Sequence, residues 1–171
     1  MKIVLLGYMA SGKTIIANKL SKKKGIKHID LDAYIEKKEK KSIIKIFKDK
    51  GEIYFRIKEN FYLNQILHSK DNFILSVGGG TPCYANNMEL ILKYSKSVFL
   101  KANIETIYSR LIIEKEKRPL IKDIQNDNLK EYIAKHLFER SHFYNKSKIQ
   151  IDVNNKSIEQ ITEDVLLQIS N

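Results

Sequence analysis

Two hydrophobic rhythms alternate along this chain. Short apolar runs lie at 2–6, 27–31, 72–77, 97–100 and 149–153. Their length, and the Val, Ile, Leu and Phe within them, predict buried β-strands. Between them, apolar residues recur every three or four positions, the spacing of an amphipathic helix. This spacing predicts helices over 13–24, 31–38, 42–49, 52–68, 86–94, 103–113, 128–144 and 157–169. Gly25 ends the first helix, Ser42 is a plausible cap for the third, and Gly51 separates the third from the fourth. The stretch 114–125 is polar, contains Arg118-Pro119 and reads as a loop. Strands that alternate with helices predict an α/β fold: five parallel strands with helices on both faces. There is no repeat, low-complexity stretch or linker, so residues 1–171 read as one domain.

The first strand runs into Gly7-Tyr8-Met9-Ala10-Ser11-Gly12-Lys13-Thr14. This is G-x-x-x-x-G-K-[ST], and it sits in the strand–loop–helix context that a phosphate-binding loop needs. Its glycines let the backbone curl so that N–H groups face a phosphate. The N-terminus of the next helix adds partial positive charge. Lys13, expected to point into the cleft, can reach the β- and γ-phosphates, and the Thr14 hydroxyl can ligate Mg²⁺. Ala10, Ser11, Gly12, Lys13, Thr14 and Ile15 are therefore candidate ATP contacts.

In an open parallel sheet, ligands collect at the carboxyl ends of the strands. Asp30 and Asp32 close the second predicted strand and should lie beside the phosphate loop. One could hold Mg²⁺ and the other face an acceptor hydroxyl; the bland alternative is that they cap the next helix. The third strand ends in Ser76 where a motor ATPase or GTPase usually has an acid, and no Asn-Lys-x-Asp guanine signature is present. A small-molecule kinase fits better. Gly78-Gly79-Gly80 would let a ligand approach backbone N–H groups closely.

Charge and cysteine content change the picture little. The net charge is +11, almost all from dispersed lysines, with no nucleic-acid-binding motif. The chain is expected to bind neither nucleic acid nor membrane, and to be a cytoplasmic monomer. One cysteine, Cys83, allows no internal disulfide and suits a reducing compartment. The four arginines, Arg56, Arg110, Arg118 and Arg140, are more informative. In a chain that uses lysine nearly everywhere, they mark places where a planar fork for carboxylate or phosphate is wanted.

Six features stand in order: Gly7-x-Met9-x-x-Gly12-Lys13-Thr14, Asp30-x-Asp32, Phe55-Arg56-x-x-Glu59, Gly78-Gly79-Gly80, Arg118-Pro119-Leu120, and Glu139-Arg140 with Tyr144. This ordered set resembles the shikimate kinase family over essentially the whole chain. The resemblance implies ATP-dependent phosphorylation of the shikimate 3-hydroxyl, on the way to aromatic amino acids. It also implies the P-loop, nucleoside-monophosphate-kinase-like fold with strand order 2-3-1-4-5. A substrate-binding segment would span about 31–62 and a lid about 114–125. By the same resemblance, Thr14 and Asp30 hold Mg²⁺, and Asp32 contacts the substrate hydroxyls as base. Arg56 and Arg140 grip the substrate carboxylate beside Gly78, Gly79 and Gly80, with Glu59 holding Arg56. Arg118 is the lid arginine on ATP, so Lys13, Asp32 and Arg118 form the catalytic set. Ala10 stands where many members have glycine. Arg110 and the Asn154-Asn155 region are candidates for adenine. The rival readings are another small-substrate kinase of the same fold, such as a gluconate kinase, and a non-catalytic nucleotide- or nucleic-acid-binding protein.

Overall fold

A computed structural model describes residues 1–115, 121–122 and 124–170, the side chain of Glu114 apart. Its strands are β1 (Lys2–Leu6), β2 (Lys27–Asp30), β3 (Phe73–Ser76), β4 (Lys96–Lys101) and β5 (Ile149–Asp152). Its helices are α1 (Lys13–Lys24), α2 (Leu31–Glu39), α3 (Ile43–His68), α4 (Asn87–Tyr94), α5 (Ile104–Glu114), α6 (Asn126–Tyr144) and α7 (Ile158–Ser170). The strands form one sheet in the order β2-β3-β1-β4-β5, with every pair parallel. This is the strand order and the fold expected from the resemblance.

The sheet is buried on both faces because β1 serves two cores. Ile3 and Leu5 pack with Ile16, Leu20, Val98 and Ile107 on one side. Val4 and Leu6 pack with Leu31, Leu63, Phe73 and Leu75 on the other. A two-residue side-chain period makes that division unavoidable. Each fully buried Leu or Ile contributes about 1.5–3 kcal/mol. Among the described residues, no helix is long and apolar enough to cross a membrane.

Two local features depart from the pattern reading, whereas the break predicted at Gly51 is present: α3 is interrupted where Gly51 takes the non-helical φ 80° and ψ 173°. Ser42 does cap it, accepting from Lys45 N. Residues 81–83 form a 3₁₀ turn that no periodicity announced, since three residues carry no period. Finally, β2 stops at Asp30 and α2 begins at the next residue.

Candidate active site

The carboxyl ends of β1, β2 and β3 open into a cleft of about 510 Å³. Ala10, Ser11, Gly12, Lys13, Thr14 and Ile15 line it, together with Asp30, Asp32, Ser76, Val77, Gly78 and Gly79. The phosphate loop is closely built. Gly7 has φ 145°, and a Cβ there would lie 2.7 Å from Ser11 Oγ and 2.8 Å from the Leu100 carbonyl. Ala10 adopts φ 60°, the left-handed region that glycine enters freely and alanine enters at a cost of about 1–2 kcal/mol. The glycine-to-alanine departure therefore stores strain in the loop. Lys13 lines the cleft but does not simply point into it. Its Nζ turns back to donate to the Gly7 and Tyr8 carbonyls at 2.9 and 2.8 Å.

The two aspartates separate at the β2–α2 junction. Asp30 is the N-cap of α2, with Oδ1 accepting from Ala33 N at 3.2 Å and Oδ2 from the Ser76 hydroxyl at 3.0 Å. The capping reading is thus correct for Asp30, and capping leaves it in the cleft wall. Asp32 sits in the first turn of α2, also in that wall. Burial, with Asp30 and Glu59 nearby, pushes its pKa up to about 6, while Lys13 and Arg56 oppose the shift.

Arg56, Gly80 and Arg140 are not among the residues that line this cleft; they adjoin it through the glycine triplet. Arg56 donates to Glu59 Oε2 at 2.9 Å from Nη1 and to Glu52 from Nε. Burial opposes the Arg56 charge, but its two glutamates outweigh burial and hold it more firmly protonated than usual. Glu59 is 1% exposed and also accepts from the Thr81 hydroxyl at 2.7 Å. A Cβ on Gly80 would fall 2.8 Å from Arg56 Nη2. A Cβ on Gly79 would lie 3.3 Å from Arg140 Nη1, and one on Gly78 3.5 Å from Asp32 Oδ1. Tyr144 donates to the Gly79 carbonyl at 2.6 Å, which ties α6, the helix of Arg140, to the same turn. The structure thus brings Asp32, the two arginines and the start of the phosphate loop around residues 78–80, with Asp30 held at Ser76. Arg118 lies outside the described residues.

Sequence reasoning missed several partners. Arg140 stacks over the Tyr8 ring at 5.5 Å, and Tyr8 Oη is 3.1 Å from His136 Nδ1. Arg110 donates to the Ala10 carbonyl at 3.1 Å and lines the cleft with Lys156, Ile158 and Ile161. Asn154 and Asn155 are not among the lining residues; Asn154 Oδ1 instead accepts from Asn103 N. Cys83 is a half-buried free thiol whose pKa burial raises, in keeping with a packing role. His28 has its pKa lowered by burial, with Asp30 opposing, and contacts Ser76.

A family model described as shikimate kinase matches residues 9–170. The chain belongs to the shikimate kinase family. It is 49% identical to the shikimate kinase of Flavobacterium johnsoniae over 166 residues, which covers 96% of each chain. Its structure is similar to that of the shikimate kinase from Bacteroides thetaiotaomicron. The TM-score is 0.93 at 30% identity, covering 100% of this chain and 99% of that one. A shikimate kinase from Acinetobacter baumannii, solved in complex with shikimate, matches with TM-score 0.87 at 29% identity over 99% of this chain and 92% of that one. The gluconate kinase and non-catalytic readings give way to a shikimate kinase, a phosphotransferase that uses ATP.

Proposed function

We propose that this protein transfers the γ-phosphoryl group of ATP to the 3-hydroxyl of shikimate, releasing ADP and shikimate 3-phosphate, with the residues assigned as follows. The observation that carries the reading is Asp32. It is a half-buried carboxylate in the cleft wall whose pKa is pushed up to about 6 by burial, Asp30 and Glu59 against Lys13 and Arg56. That is the environment of a general base that must take a hydroxyl proton near neutral pH.

The phosphates would rest on backbone N–H groups of Ser11, Gly12, Lys13, Thr14 and Ile15 at the start of α1, with Ala10 adjoining. Lys13 would exchange its Gly7 and Tyr8 carbonyls for phosphate oxygens. Thr14 and Asp30 supply a hydroxyl and a carboxylate, hard oxygen donors of the kind Mg²⁺ prefers while keeping several waters. Bound there, Mg²⁺ would offset phosphate charge. Arg56 and Arg140 would hold the substrate carboxylate as two guanidinium forks, with Gly78, Gly79 and Gly80 giving close backbone approach. Fixing that end aims the far hydroxyl at the γ-phosphate and places Asp32 at its proton. Residues about 31–62 would form the substrate-binding segment of the single domain. The 114–125 segment would act as lid and bring Arg118 onto ATP. A cytoplasmic monomer completes the reading; sedimentation of the purified protein tests the oligomeric state.

ADP release measured across a panel of hydroxy acids tests the activity. Shikimate should support turnover, whereas gluconate and neutral polyols should not. Equal rates with a polyol that lacks a carboxylate would overturn the assignment.

A further inference from the structure

A line of side chains runs from α1 through the sheet to Asp30. Asp30 Oδ2 accepts from the Ser76 hydroxyl at 3.0 Å. His28 Nε2 lies 3.0 Å from the same Ser76 Oγ, and its Nδ1 lies 2.8 Å from Asn18 Oδ1. The register makes this possible. β2 and β3 pair with Asp30 opposite Ser76. His28, two residues before Asp30, projects from the same face of β2.

Counting protons fixes the direction of the line. A serine hydroxyl has one proton, and here it goes to Asp30. Ser76 Oγ therefore receives its second hydrogen bond as acceptor, and the donor is His28 Nε2–H. Nδ1 either carries a second proton and donates to Asn18 Oδ1, or is bare and meets Nδ2 after a half-turn of the Asn18 amide; in both cases Nε2 donates to Ser76. Ser76 is 2% exposed, so water competes little for its hydroxyl.

We propose that His28 is a positioning residue for divalent-cation binding, acting through the Ser76 hydroxyl to fix the Asp30 carboxylate. The proposal rests on the assignment of Asp30 to the cation. Groups one step behind a metal ligand set its orientation, and losing them typically costs 10–100-fold in metal affinity. His28 stands one bond further back, so the lower end applies.

The test measures Mn²⁺ binding to the ADP complex of the full-length protein by the disappearance of the free-ion paramagnetic resonance signal. His28→Leu and Ser76→Ala should each weaken Mn²⁺ about 10-fold, and His28→Leu should leave the shikimate KM unchanged. His28→Gln, whose side-chain amide can donate to Ser76 from the place of Nε2, should restore affinity to within about 2-fold. Nitrogen-15 resonance of His28 in the wild-type protein should show the proton on Nε2. The proposal is overturned by Mn²⁺ affinity in His28→Leu within 2-fold of wild type. It is overturned equally by a His28→Gln variant as weak as the leucine, which would mean packing alone, or by a proton on Nδ1 alone. Asp30→Ala separates the two layers: unchanged Mn²⁺ affinity there removes the cation from Asp30 altogether. Weakened affinity in Asp30→Ala with none in His28→Leu removes only His28.

Discussion

A carboxylate that accepts a proton during turnover works best with a pKa near the working pH. Asp32 is moved that way, from 3.8 to about 6, by burial first and then by Asp30 and Glu59. The rate with shikimate should therefore rise with pH along an acid limb centred near pH 6. Linkage gives the opposite sign for stability. The folded protein binds the Asp32 proton more tightly than the unfolded chain, so this residue's contribution is most favourable below pH 3.8. It is lost progressively up to about pH 6 and remains a cost above. Asp32→Asn removes that cost, which is at most about 3 kcal/mol. At pH 7.5 this variant should lose turnover, bind ATP almost normally and melt at a higher temperature than wild type. Normal turnover would place the base elsewhere. Loss of ATP binding with saturated turnover intact would exchange the roles of Asp30 and Asp32. Lys13→Met should lower turnover by at least ~10²-fold, about 2.7 kcal/mol of barrier. It also removes the bonds to Gly7 and Tyr8, so melting curves should accompany the kinetics.

The turn after β3 shows at the scale of elements what single residues do not. Gly78, Gly79 and Gly80 abut Asp32, Arg140 and Arg56 in that order. Gly80 has φ −85°, which any residue tolerates, so Gly80→Ala tests the close approach to Arg56 without backbone strain. We expect the shikimate KM to rise several-fold with the ATP KM unchanged; an unaltered shikimate KM would detach Gly80 from the substrate arginine. The strand–loop–helix unit of β1, residues 7–12 and α1 was legible in sequence, because its signals are local: an apolar run, two glycines and a lysine at fixed spacing. The Asp30 cap is open to local reading too, since its signal is an acid at the strand–helix junction. The Glu59–Thr81, Arg110–Ala10 and His28–Ser76 contacts were not, because each joins residues 22 or more apart. Chain spacing carries no record of such pairs; the sheet order creates them. The scarcity of arginine singles out Arg56 and Arg140 along with Arg110 and Arg118, and the fold draws the first two to the glycine turn.

Across the whole molecule, the groups proposed for nucleotide and for substrate share one support. A Cβ on Gly79 would lie 3.3 Å from Arg140 and 3.5 Å from the Gly7 carbonyl, so Arg140 and the phosphate loop meet at a single turn. The contacts proposed for the two ligands nonetheless fall on different groups, and thermal stabilisation can separate them. A ligand that binds only the folded state stabilises it by RT ln(1 + [L]/Kd), about 2.7 kcal/mol at 100 times Kd. For a chain of this length each kcal/mol moves Tm by about 2–4 °C. Arg56→Lys and Arg140→Lys keep the charge but lose the planar fork, so shikimate affinity should fall ~10-fold, about 1.4 kcal/mol. At a fixed shikimate concentration, 100 times the wild-type Kd, the stabilisation should then drop to about 1.4 kcal/mol, roughly half the wild-type Tm shift. The shift produced by ADP should not change, because neither arginine is assigned to nucleotide. Lysine is the right replacement at position 56, since it leaves a cation beside the buried Glu59; alanine would strand that carboxylate and cost several kcal/mol of fold stability. Full shikimate shifts in both variants would defeat the carboxylate assignment. Loss of the ADP shift along with the shikimate shift would show instead that the arginines hold the turn at 78–80 in place for both ligands.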